Sequence, residues 1–243
     1  MTGEFVALAA AIFVVALLYS SVGHAGASGY IAVMTLFGMG VEVIRPTALA
    51  LNILVAAIGF FQWWRGGHFL WSLFWPFALL SVPAAFLGGW VHVPADYLKV
   101  LIGLVLWFSA WRLLYRREDP PDIVRPARPT AVASGAGLGF LSGLTGTGGG
   151  IFLTPLMLFC RWGKVKEVAA VSSLFILLNS SSGLAGYVQS GRVLPEFAWP
   201  LALVVAAGGF VGSRLGSRHL PVRGIAVLLA LVLAIAGTKL VLG

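Results

Sequence analysis

Apolar segments succeed one another from one end of this chain to the other, broken only by short polar loops. No other feature constrains the fold as much. A bilayer core holds no water, so backbone N–H and C=O groups buried there must be satisfied by the chain itself. Long apolar runs such as "FVALAAAIFVVALLYS" (5–20) are therefore read as helices. Of the 243 residues, 59% are hydrophobic and 10% charged, whereas soluble domains carry about a quarter charged residues. No segment is long and polar enough to make a second, aqueous domain. The expectation is one all-α integral membrane domain.

The net charge of +8 suggests nucleic acid, but the basic residues lie in short loops between apolar segments. Topology determinants sit there, so nucleic acid is not an expected partner and the lipid bilayer is. Cys160 is the only cysteine, which excludes an intrachain disulfide, a CxxC motif and a thiolate metal cluster. The start, "MTGEFVALAAAIFVVALLYSSVGHAGA", has the small residues of a signal-peptide cleavage site but no Lys or Arg before Arg45. It reads as a retained first helix.

The two halves align. Residues 21–43 lie over 143–165 at an offset of 122, which then grows to 124, with Trp75-Pro76 on Trp199-Pro200. Later it reaches 127, with Pro94 on Pro221. This is a tandem duplication. The first half holds apolar elements at about 5–22, 27–39, 45–64, 70–91 and 96–115; the second at about 130–145, 149–160, 167–188, 196–213 and 222–242. At about 1.5 Å per residue, the short second element of each half cannot cross a core of about 30 Å. Each half therefore begins with a helix that enters, breaks at a Gly-rich loop and returns as a short helix.

The Arg-rich stretch "WRLLYRREDPPDIVRPARP" (111–129) belongs in the cytoplasm. Counting from it puts Arg65, Lys164, Lys166 and Arg214 inside, and Arg45, His92, Arg192 and both termini outside. Five elements is an odd number, so the halves are inverted relative to one another. The expected layout is a first transmembrane repeat at 1–115, a cytoplasmic linker at 116–129 and a second repeat at 130–243. Inverted repeats with broken helices meeting near the midplane are the architecture of secondary transporters.

The tips "SSVGHAGASG" (20–29) and "SGLTGTGGG" (142–150) would meet from opposite sides. Successive amides in such a turn, followed by a helix N-terminus, form an anion-binding concavity. This gives Thr145, Thr147, Gly148, Gly149 and Gly150 as substrate-binding candidates, whereas the glycines of "GAGLGF" (135–140) read as helix packing. None of the eight acidic residues, and no Lys or Arg, is expected mid-span. A cation carrier would be expected to keep a carboxylate there. Small neutral donors remain: His24 and Ser28 in the first tip, Asn52 in the third element, Asn179 and Ser180 in the eighth. Either asparagine could equally be an interhelical tie, and His24 a loop anchor. The interior favours a small anion as substrate.

No enzyme motif is present: the glycines lack the Lys-Ser/Thr of a nucleotide P-loop, and no zinc spacing or GxSxG occurs. Neither cofactor nor metal is expected. The stretch "GFLSGLTGTGGGIFLTPLML" (139–158) and the duplicated layout resemble the sulfite exporter TauE/SafE (TSUP) family of membrane transporters. The first copy, "GHAGASGYIAVM" (23–34), departs from the family pattern, with Val33 in place of its proline. The resemblance implies secondary transport, as an exporter, of sulfite, an organosulfonate or a similar sulfur-containing anion across the bacterial inner membrane. Alternating access is the expected mechanism; an anion channel or a membrane subunit of a larger complex are the rivals. The coupling ion (proton or sodium) and assembly into a homo-oligomer are left open.

Overall fold

The computed structural model describes residues 3–21, 24–114, 122–216 and 223–242, and these form ten helices. The first half contains α1 (Gly3–Ser21), α2 (Ala27–Leu36), α3 (Val41–Arg65), α4 (Trp71–Trp90) and α5 (Ala95–Leu114). The second contains α6 (Arg128–Thr145), α7 (Gly150–Phe159), α8 (Val165–Gln189), α9 (Ala198–Gly216) and α10 (Arg223–Leu242). Among the described residues, α1, α3, α4, α8 and most of α9 are long and apolar enough to cross a membrane. The ten residues of α2 and of α7 reach only about 15 Å, half of a bilayer core. Charge respects this layout: Glu4, Glu42, Asp96 and Glu167 all sit in first turns, where the helix dipole favours an anion. Residues 116–121 of the linker expected at 116–129, including Arg116 and Arg117, lie outside the described residues, as do Arg218 and Pro221.

The most extensive helix pairings are reciprocal between the halves, although α2 meets α10 without an equal contact between α5 and α7. Helix α4 packs on α6 and α1 on α9; α4 also meets α8, as α3 meets α9; α3 faces α8 and α5 faces α10. Exchanging the halves maps this set of contacts onto itself, as a two-fold relation requires. Two apolar cores result. One is built mainly from α1, α2, α3, α5, α9 and α10, the other from α4, α6, α7 and α8. Each core therefore draws helices from both halves.

The seam between α4 and α6 is close backbone packing. A methyl group added at Gly135, Gly139 or Gly143 would run into the carbonyl oxygen of Phe77, Ser81 or Ala85 respectively. These are every-fourth-residue rows on both helices, the small-residue contact expected of "GAGLGF". Gly137 faces open space and plays no part in it.

The structure corrects the register of the repeat. Helices α2 and α7 have equal lengths and begin after glycines with positive φ, Gly26 at 101° and Gly149 at 78°. After them, Gly38 (φ 80°) matches Arg161 (φ 58°). All three coincidences give an offset of 123, not 122. His24 thus corresponds to Thr147 rather than Gly146, and Ala32, not Val33, occupies the place of Pro155. The offset of 122 stacks Leu36-Phe37 on Leu158-Phe159, whereas the backbone dihedrals, together with the glycine pairs Gly26/Gly149 and Gly40/Gly163, fix the register at 123.

Candidate functional site

Both Gly-rich tips lie at the depth of the middles of α3 and α8. Residues 24–35 and 142–150 are buried throughout. Between the tips is a small void of about 10 Å³, lined from the first half by Tyr19, His24, Ser28 and Asn52, and from the second by Thr147 and Ile176 among others. That is room for about one water molecule. The two segments meet, with a polar gap between them.

The second tip is braced by side chains from both long helices. Asn52 Nδ2 donates to the carbonyl of Thr147 at 3.2 Å and to Ser180 Oγ at 3.4 Å. Thr145 Oγ1 donates to Leu141 O at 2.7 Å and lies 3.0 Å from Thr147 Oγ1. Gly148 has φ 72°, and a methyl group there would come within 2.5 Å of Asn52 Nδ2 and 2.7 Å of Ser180 Oγ. A side chain there would be strained in its backbone and would displace both polar groups that brace the tip. Gly149 combines its positive φ with a similarly tight approach to the ring of Phe175.

The turn leaves backbone donors unused. Among the described residues, no backbone carbonyl accepts from the amides of Thr147, Gly148, Gly149 or Gly150, nor from those of Ala25 to Ser28 in the first tip. A buried donor without a partner costs about 1–3 kcal/mol, so a run of them in a buried turn calls for water or a ligand. Ser142 Oγ and Asn52 Oδ1 are also buried without hydrogen-bond partners.

The first tip is held by hydroxyls instead. Tyr30 Oη donates to the carbonyl of Ala25 at 2.7 Å, Ser28 Oγ donates to Tyr19 Oη at 3.1 Å, and the His24 amide donates to Tyr19 O at 3.0 Å. Tyr19 and Tyr30 escaped the sequence reading because tyrosines in apolar runs look like ordinary core.

Of the ten expected site residues, His24, Ser28, Asn52 and Thr147 line the void. Gly148 and Ser180 pack directly against Asn52, and Thr145 is joined to Thr147. Gly149 and Gly150 form the start of α7, against Phe175 and Ile176. Asn179 does not line the void; its Nδ2 donates to Phe175 O, one turn back on its own helix, at 2.8 Å.

Arg45 differs most from expectation. Counting charges places it in an outer loop, yet it is the fifth residue of α3 and only 1% exposed. Its guanidinium bonds the carbonyls of Gly88, Gly89 and Gly143 near the C-terminal ends of α4 and α6. Those carbonyls lack intrahelical donors, and a cation suits the negative end of a helix dipole. Arg192, in the loop after α8, donates to Gly89 O at 2.6 Å and lies over the Tyr187 ring. Burial lowers the pKa of Arg192.

Helices of this length and apolarity around a buried polar meeting point define a multi-pass membrane protein. The family model for the sulfite exporter TauE/SafE matches residues 8–240. The chain is 43% identical over 245 residues to "Probable membrane transporter protein y4hK" of Sinorhizobium fredii, covering 99% of both chains. It is 24% identical to "Probable membrane transporter protein MJ0441" of Methanocaldococcus jannaschii, over 95% of this chain and 92% of that one. No solved structure matches it significantly. The chain belongs to the TauE/SafE family of membrane transporters.

Proposed function

We propose that this transporter is a secondary exporter of a small sulfur-containing anion, such as sulfite or an organosulfonate, working by alternating access in the bacterial inner membrane. The observation that carries this reading is the run of unused amides from Thr147 to Gly150, buried at mid-depth beside the void. Convergent N–H groups at a helix N-terminus bind an oxyanion without a full counter-charge. The described acidic residues all lie in first turns or loops, so no carboxylate repels the guest. The family description names sulfite export, which supplies the substrate class.

The void is too small for such an anion, so the gap between the tips must widen to load it. Five elements per half give halves of opposite orientation, and the Arg-rich stretch before α6 then sets the 116–129 linker in the cytoplasm and both termini outside. Counterflow in proteoliposomes tests the mechanism. Trapped unlabelled sulfite should drive transient accumulation of labelled sulfite, because a carrier exchanges substrate across the membrane. An anion channel gives no such overshoot, and failure of the purified chain to transport alone would favour a subunit of a larger complex.

A further inference from the structure

Arg45 and Arg192 form a cationic pair that the midplane site does not use. Arg45 donates to Gly143 O from Nε at 3.1 Å and from Nη2 at 2.9 Å, and Nη2 also reaches the carbonyls of Gly88 and Gly89. Its Nη1 is buried with no hydrogen-bond partner. Carbonyl dipoles offset part of the desolvation of this charge without neutralising it. Among the described residues, no carboxylate forms an ion pair with either arginine.

The two cations are close neighbours. The guanidinium carbons of Arg45 and Arg192 lie 5.6 Å and 4.1 Å from the centroid of the same Tyr187 ring, and both arginines bond Gly89 O. Like charges this near repel in a medium of low dielectric constant, and an anion between them would relieve the repulsion through charge-assisted hydrogen bonds. The pair also spans the distance to the tip. Arg192 is partly exposed, whereas the backbone and Cγ of Arg45 press against Gly146, so that a methyl group there would sit 2.9 Å from Arg45 O and 3.1 Å from Cγ.

Resting on the reading that the chain carries an oxyanion, we propose that Arg45 and Arg192 form a second oxyanion-binding station, which the substrate occupies between the C-terminal end of α8 and the midplane void. The station is one-sided. At the offset of 124 that relates α3 to α8, Ala169 occupies the place of Arg45, and His68 that of Arg192.

Equilibrium binding of radiolabelled sulfite, sulfate and thiosulfate to the detergent-purified full chain tests this by counting sites. The wild type should bind two anions per chain for at least one of the three. Arg192→Gln, which leaves the carbonyl bonds of Arg45 intact, should bind one. Arg45→Lys keeps a charge for the helix ends but lacks the planar fork, and should weaken the same site by tenfold or more. Gly148→Leu should retain the arginine site and lose the other. Wild-type stoichiometry and affinity in both arginine variants would overturn the station, as would loss of all binding in Gly148→Leu. If Gly148→Leu transports normally and keeps both sites, the midplane reading fails while the arginine result stands. A wild-type chain that binds none of the three anions removes both.

Discussion

The two tips share a backbone plan and differ in what they present. Each ends in a glycine of positive φ, Gly26 or Gly149, and continues into a ten-residue helix. In the first tip, His24, Ser28 and the phenols of Tyr19 and Tyr30 form the wall and hold the turn. In the second, Gly146 and Gly148 add two more left-handed residues, and the turn is braced from outside by Asn52. One tip is distinguished by its side chains, the other by its main chain. The two tips are therefore not equivalent: both carry a run of unused amides, to which the first adds an imidazole and hydroxyl groups and the second adds further left-handed glycines.

This difference ranks the expected effects of substitution. Gly148→Leu attacks the main-chain tip at its tightest point, where positive φ and lack of space coincide. Flux in proteoliposomes should fall by about 100-fold or more, since a misplacement of about 1 Å at a reacting or binding centre costs that much. The variant should still insert and elute as a single species. Normal flux would remove the 147–150 turn from the site.

Asn52→Leu comes next. It strips the brace from Thr147 O and Ser180 Oγ, leaving buried polar groups unpaired at a cost of about 1–3 kcal/mol. Thermal unfolding should shift down by several degrees, and flux should drop about tenfold for a loss of roughly 1.4 kcal/mol in binding. An unchanged melting temperature would show that the bond to Thr147 does not fix the tip.

Substitutions in the side-chain tip should act more mildly and on different observables. His24→Gln keeps a hydrogen-bonding group on the void, so transport should retain most of its maximum rate. A tenfold fall in flux would show that the imidazole itself holds the guest. Tyr30→Phe deletes a single bond to Ala25 O, costing about 1 kcal/mol of stability and little flux. A loss of transport as large as that of Gly148→Leu would reverse the contrast between the tips.

Much of the architecture was legible in the sequence, because hydropathy and length govern a chain in lipid. The element expected at 70–91 is α4 at Trp71–Trp90, and the short second elements appear as α2 and α7. The helix expected from 45 begins a turn earlier, at Val41. That turn is what turns Arg45 from a loop residue into a buried one. Charge counting assigns every arginine to a loop and cannot see that the carbonyls of two helix ends, remote in sequence, will receive it. Asn52 and Asn179 look alike in sequence, both polar and mid-helix, yet one braces the tip and the other bonds its own helix. Rotational phase separates them, and it is set by neighbours that a linear pattern does not name.

The glycine seam between α4 and α6 bears on how such a protein can move. With main chains in contact, there are no side chains between the two helices to bend or re-rotamerise, so the pair behaves as one stiff plank. The plank joins the fourth helix of one half to the first helix of the other, and α1 with α9 mirrors it. Neither half can swing as a separate piece. Under the alternating-access proposal, the units that would shift are chimeric, each assembled from parts of both halves.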